Sequence, residues 1–244
     1  EVARVYRNLK GSGLPLRIPA IEMVEIGAGG GSIAKVDEMK RISVGPESSG
    51  ALPGPACYNQ GGEDPTVTDA DVILGRIDPK DFAGGAVKLD PDKADLALRT
   101  AVGEQLELNG SLSAFGVSEI VDENMANAAR VHAIEWGKDI SARSMIAFGG
   151  AAPLHALRLA EKLDINKVII PSGAGVGSAI GFLRAPISYE VVRSRYISLQ
   201  NFDPGIVNRL MKEMSKEARE IVASGAGASE LTEQRLAYMR YEGQ

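Results

Sequence analysis

The stretch "RSMIAFGG", "AAPLHALRLAEKLD", "KVIIPSG", residues 143–173 with two residues between the last pieces, constrains the fold most. A short apolar run ends in Gly149 and Gly150, a helical pattern follows, and a second apolar run closes the unit. A helix-length crossover between two short strands joins them in parallel, and parallel strands need helices on their faces. The chain is therefore α/β.

Short Val- and Ile-rich runs near the start predict strands at Val2–Asn8, Ile21–Ile26, Ile33–Val36 and Arg41–Val44. Between residues 45 and 66 the sequence turns to "GPESSGALPGPACYNQGGEDPT", an irregular, rigid Gly/Pro-rich loop. Loops of that length in compact domains are often functional. Thr68 is expected to cap a short helix with Asp69 and Asp71 in its first turn. Further helices are expected over Asp90–Leu108, Ser113–Trp136 and Asp203–Ser224, with a short glycine-rich one in "GAGVGSAIGFLRA". Alternation in "YEVVRSRYISL" predicts a strand over Tyr189–Leu199. The expected division is a domain over 1–200 and a C-terminal helix opening a following segment over 201–244. Both ends lie in apolar, structured-looking sequence, which reads as an internal piece of a longer polypeptide.

Three glycine-rich loops stand out, at Gly27–Ser32, Gly149–Pro153 and Gly173–Gly181. None carries a Gly-Lys-Ser/Thr phosphate loop, and Ser32 stands where a dinucleotide fingerprint would place its third glycine. Each loop alone can be a tight turn. Together, at strand ends in an α/β unit, they suit a ligand held by bare backbone N–H groups and helix N-termini. Two glycines at 149 and 150 leave room for a flat ring or a phosphate. His155, a turn further on, reads as a structural hydrogen-bonder near the same mouth, and His132 as a packed or surface residue. Cys57 reads as a small buried hydrophobe rather than a nucleophile. No metal motif is present.

The net charge of −5 is spread without a basic block, which disfavours nucleic acid and anionic membranes as partners. One cysteine rules out an internal disulfide framework and fits a reducing, cytoplasmic setting. No apolar run is long enough for a membrane-spanning helix.

"IGAGGGSIAKVD", "RISVGPESSGALPGPACYNQGG", "PTVTDADVILGRIDPKDFAGG", "MIAFGGAAPLHA" and "IIPSGAGVGSAIGFLRA" follow one another here in the order of the hydantoinase A / oxoprolinase family, which the chain resembles over nearly its whole length. That family includes ATP-dependent N-methylhydantoinase and oxoprolinase and subunits of acetone and acetophenone carboxylases. The resemblance implies part of a two-lobed, actin-like (ribonuclease-H-like) ATPase fold. It implies ATP with Mg²⁺, and a cyclic amide (hydantoin or oxoproline) opened after phosphorylation of its oxygen. A ketone carboxylase subunit would share that first step, and a non-catalytic nucleotide-binding module is the third reading. A partner subunit or region of the hydantoinase B type is implied as well. Gly149, Gly150 and Ala151 would approach the nucleotide. Gly27, Gly29, Gly30, Gly31 and Ser32, with Glu47 and Ser48, would lie at the substrate or phosphoryl cleft. The fold's two phosphate loops, each an Asp followed by glycines and Thr, are not in this chain, so the piece alone is expected to be inactive. No catalytic residue is assigned.

Overall fold

A computed structural model describes Arg7–Asn8, Pro15–Leu16 and residues 23–227, 229–239 and 241 of the 244-residue chain. The chain divides into two compact units, Glu1–Ser178 and Ala179–Gln244.

In the first unit, β1 (Arg7–Asn8) and β2 (Pro15–Leu16) form a minimal antiparallel pair. The rest of the strand expected at Val2–Asn8 lies outside the described residues. So do positions 21 and 22 of the strand expected at Ile21–Ile26, whose described part, 23–26, joins no ladder. β3 (Ser32–Val36) and β4 (Ile42–Ser48) form an antiparallel hairpin. Val36 faces Ile42 and Ala34 faces Val44, and a bulge then sets Ser32 opposite Ser48. β4 thus takes in Gly45–Ser48, which the sequence places in the irregular loop. The glycine-rich residues just before β3 are carried back onto this strand by the bulge.

One carboxylate fastens the remaining loop to the helix that follows it. Helix α1 (Val67–Ile73) starts two residues earlier than expected, with Thr66 rather than Thr68 as its N-cap. Asp69 completes a capping box with Thr66: its Oδ2 accepts from Thr66 N–H (2.8 Å) and Thr66 Oγ1 (2.8 Å). The same carboxylate also accepts from the N–H groups of Ala56 (3.2 Å) and Cys57 (2.7 Å), which open a 3-10 turn, Ala56–Tyr58. Asp69 is fully buried, so four donors that water cannot reach depend on it.

The helix expected over Asp90–Leu108 is segmented. Asp90 caps α2 (Pro91–Leu98), a π-helical stretch (Arg99–Gly103) follows, and one-turn α3 (Glu104–Leu106) ends it. Asn109 caps the long α4 (Gly110–Glu135). The main core gathers Ala34 and Val44 from the hairpin, Val67 and Ala70 from α1, Leu98 and Val102, and Ala114, Val117 and Val121 from α4. Residues 114, 117 and 121 recur at the spacing of one helix face, which is why α4 lies against α1.

The strand–helix–strand unit forms as expected. β5 (Met145–Ile146) pairs in parallel with β6 (Val168–Ile169), and α5 (Ala152–Lys162) crosses between them. α5 is laced to α4 by charge. Arg158 donates from Nε and Nη2 to both oxygens of Glu119 (2.7 and 2.9 Å), and Lys162 donates to Glu119 (3.1 Å) and Glu123 (3.0 Å). The Arg158 hydrogen bonds, aided by Lys162, hold the Glu119 carboxyl down at about 2. A 3-10 turn (Ala174–Val176) leads into α6 (Gly177–Arg184).

In the second unit, Asp203 caps the amphipathic α7 (Pro204–Ala226), as expected. The strand expected over Tyr189–Leu199 does not form. The segment runs without regular structure up to a 3-10 turn at Leu199–Asn201, and Tyr189, Val192 and Tyr196 are exposed. Alternation predicts a face, but a strand exists only when a neighbour takes up its backbone hydrogen bonds, and none of the described residues does so.

Candidate functional site

The loop before β3 is built by its own short contacts. Gly27 has φ +60°, a region where a side chain is strained. Ser32 Oγ accepts from Gly29 N–H (3.0 Å) and donates to the Gly27 carbonyl (3.3 Å), so this buried hydroxyl braces the turn. Gly30 lies against α1: its carbonyl accepts from Thr68 N–H (2.8 Å) and Thr68 Oγ1 (2.9 Å). A Cβ on Gly30 would stand 2.7 Å from Thr68 Oγ1, and one on Gly31 would stand 2.9 Å from Ser48 Oγ. Gly29 differs, because a Cβ there would meet nothing within 4 Å. Three of the four glycines are thus explained by the chain's own packing, and Gly29 is not.

Gly27, Gly29, Gly31 and Ser32 share the wall of an open cavity of about 490 Å³ with Glu25 and Ser48. That volume falls within the range of small-molecule sites. Gly30 faces α1 instead of the cavity. Glu47 is also outside the lining, exposed and ion-paired with Lys35. Gly149, Gly150 and Ala151 stand together between β5 and α5. Gly149 has φ +103° and donates its N–H to the Ala174 carbonyl (2.8 Å). A Cβ on Gly149 or Gly150 would meet nothing, and Ala151 supplies no side chain to cap α5. Open glycines at an uncapped helix start can accept an anion or a flat ring. Cys57 is buried, and burial, followed by the charge and hydrogen bond of Asp69, pushes its thiol far up, so it is no nucleophile.

One constellation escaped the sequence reading. His155 is buried at the α1–α4–α5 junction with Nδ1 2.7 Å from Asp122 Oδ1 and Nε2 3.2 Å from Asp71 Oδ2. Arg76 Nη1 donates to Ser118 Oγ (2.7 Å) and Asp71 Oδ1 (3.1 Å), and lies 3.3 Å from His155 Nδ1. Both imidazole nitrogens face carboxylate oxygens, and only the doubly protonated ring can donate from both. The charge count agrees: two aspartates balance Arg76 and an imidazolium. Burial alone would depress this histidine, but hydrogen bonds to Asp122 and Asp71, with their charges, outweigh it and raise it to about 9. Asp71, expected in the first turn of α1, is a buried partner of this cluster. A sequence signal did exist. Ser118 and Asp122 sit four apart beside Val117 and Val121, a polar stripe on a face that is otherwise core. His132, by contrast, is half-buried with an unpartnered Nδ1.

Among the described residues no group of three or more His, Cys, Asp or Glu could hold a metal ion, and no helix is long and apolar enough to cross a membrane.

A family model described as Hydantoinase/oxoprolinase matches residues 1–191. The chain is 39% identical to caprolactamase subunit alpha of Pseudomonas jessenii over 71% of its length and 25% of that protein. It is 41% identical to the acetophenone carboxylase gamma subunit of Aromatoleum aromaticum, over 74% of this chain and 24% of the other. A nucleotide-free structure of acetone carboxylase, from work on ATP-dependent acetone carboxylation, superposes with a TM-score of 0.75 at 29% identity, covering 88% of this chain and 32% of that one. The chain spans about a fifth to a third of the length of the curated relatives it matches. The family model covers more than half of the chain, and the chain belongs to the hydantoinase/oxoprolinase family.

Proposed function

We propose that the complete protein carrying this chain uses ATP to open a cyclic amide, with this chain supplying one part of an actin-like ATPase fold. An amide carbon is a poor electrophile. ATP, when bound with Mg²⁺, would supply a phosphoryl group to the amide oxygen and so open the carbon to attack by water. The C–N bond then breaks, the ring nitrogen takes up a proton, and a second water releases the phosphate from the acyl oxygen. This chain's own contribution would be binding and orientation. Gly149, Gly150 and Ala151 would receive the nucleotide at the start of α5. The wall at Gly27, Gly29 and Gly31 would face the reacting oxygen, with Gly30 turned to α1 and the Gly29 N–H held by Ser32 Oγ. Ser48 would line the same cleft, and Glu47 would act, if at all, from the rim. The observation that carries the reading is the exposed, unblocked wall at Gly29, which the chain's own packing does not require. Ketone carboxylation by the same first step is the second reading, favoured by the likeness to acetone carboxylase. Relatives named as subunits support a partner subunit of the hydantoinase B type, and a cytoplasmic setting fits the single cysteine.

Gly29→Ala tests the cleft cleanly, because a methyl group has room there and its φ is not in the left-handed region. Turnover of the complete enzyme with its partner should fall on the order of a hundredfold at an unchanged melting temperature, because the added methyl group displaces the substrate from its reactive position. Turnover at the parent rate would leave the loop a mere turn. Assays with lactam, hydantoin, oxoproline and ketone substrates separate ring opening from carboxylation. For the other loop, Gly150→Val places a branched side chain in open space, so the fold should persist while ADP affinity drops at least about tenfold, some 1.4 kcal/mol. Unchanged affinity in a calorimetric titration would remove the junction from the nucleotide site.

A further inference from the structure

The two glycine-rich loops belong to different elements, yet one buried cluster joins their supports. Gly30 hangs on α1 through two hydrogen bonds from Thr68. Three residues further along α1, Asp71 meets His155 Nε2. His155 sits in the second turn of α5, five residues beyond Gly150. Asp122 and Ser118 hold the other side of the cluster from α4, and Arg76, just past α1, closes it. We propose that Asp71, Arg76, Asp122 and His155 form a positioning lock that sets the Gly27–Ser32 loop and the Gly149–Ala151 junction in one fixed relation.

The physical case is that a cluster of buried charges tolerates little displacement. Asp71, Asp122 and His155 have given up their water, while Arg76 keeps part of its own, and partners replace that water only within hydrogen-bonding distance. Apolar side chains can slide past one another, whereas these charges cannot. Thr68 then transmits the position of α1 to Gly30, and the rigid first turns of α5 transmit the position of His155 back to Gly150. The groups facing the imidazole are Asp71 and Arg76 from α1 and the residues after it, and Ser118 and Asp122 from α4. None of them touches the cavity wall, so these are positioning residues and not catalytic ones. The functional consequence rests on the proposed reading of the two loops, but the lock itself does not.

Hydrogen–deuterium exchange on the complete protein tests the lock without any substrate. His155→Gln, which keeps one donor and loses the charge, should speed exchange at both 27–32 and 149–151 on the order of tenfold, equivalent to about 1.4 kcal/mol of local stability. Thr68→Val should speed exchange at 27–32 alone. Leu89→Ala serves as the control, because Leu89 is buried in a second apolar cluster and makes no hydrogen bond to any of these charges. It lowers the melting temperature without singling out either loop. If His155→Gln changes exchange no more at these loops than Leu89→Ala does, the lock is overturned. ADP titration of the same variants reports separately on function. Faster exchange at both loops with unaltered ADP affinity would keep the lock and remove the nucleotide reading.

Discussion

Asp69→Ala should destabilise the chain by about 4 kcal/mol, the largest loss expected from any single substitution considered. The side chain is fully buried and accepts from the N–H groups of Ala56, Cys57 and Thr66 and from Thr66 Oγ1. Removing it leaves three buried amide donors without a partner, and each orphaned buried donor costs about 1–3 kcal/mol. The loss also frees the Gly/Pro-rich loop from α1, because these are the bonds that fasten the Ala56–Tyr58 turn to the helix start. Asp69→Asn retains one acceptor oxygen and should lose roughly half as much. Urea unfolding measures both, read as a shift of the midpoint at constant slope. A loss below about 0.5 kcal/mol for the alanine variant, the level of an ordinary surface change, would mean that the loop is held elsewhere.

The second large effect is alkaline. His155 stands at about 9 in the folded chain against 6.5 for an unperturbed histidine, so the folded state holds its proton more tightly than the unfolded state. The stabilisation from that proton is complete below about pH 6.5 and is lost as pH rises through about 9. The gap is worth about 3 kcal/mol at full protonation. Wild-type stability should therefore fall between pH 7 and pH 10, and His155→Gln should show a flatter profile over the same window while being less stable at pH 7. Parallel profiles for the two proteins would show that the imidazole is not the group that titrates. Two-dimensional NMR of the ring nitrogens gives the protonation state directly.

How far the amino-acid sequence reaches can be seen element by element. The parallel β5–α5–β6 unit was legible because its information is local. Two apolar runs, two glycines and a helical pattern leave one topology that the chain can make at that spacing. α4 and α7 were legible for the same reason, since a long helix announces its period, although α4 begins at Gly110, ahead of the expected Ser113, and neither cap was named. Thr66 was displaced by Thr68 as the expected cap because both residues suit the role, and only the reciprocal bond with Asp69 separates them. The Tyr189–Leu199 strand failed for the opposite reason: its pattern is local, but a strand depends on a partner that the pattern does not name.

The candidate site divides along the same line. Its glycine loops and the room at Gly149 and Gly150 stand out in the sequence, because glycine is the residue that permits such turns and approaches. Which glycine faces open space was decided by the tertiary structure, since Gly30 is spent on Thr68 and Gly31 lies against Ser48, leaving Gly29 clear. The charge cluster was hinted at in the sequence only by the Ser118–Asp122 stripe of α4. Asp71, Arg76, Asp122 and His155 are separated by up to 84 residues, and three of them look like ordinary helix residues until α1, α4 and α5 are packed. A sequence states which groups can carry charge, but their protonation and partners depend on distance and on the exclusion of water, which arise only when the helices close over them.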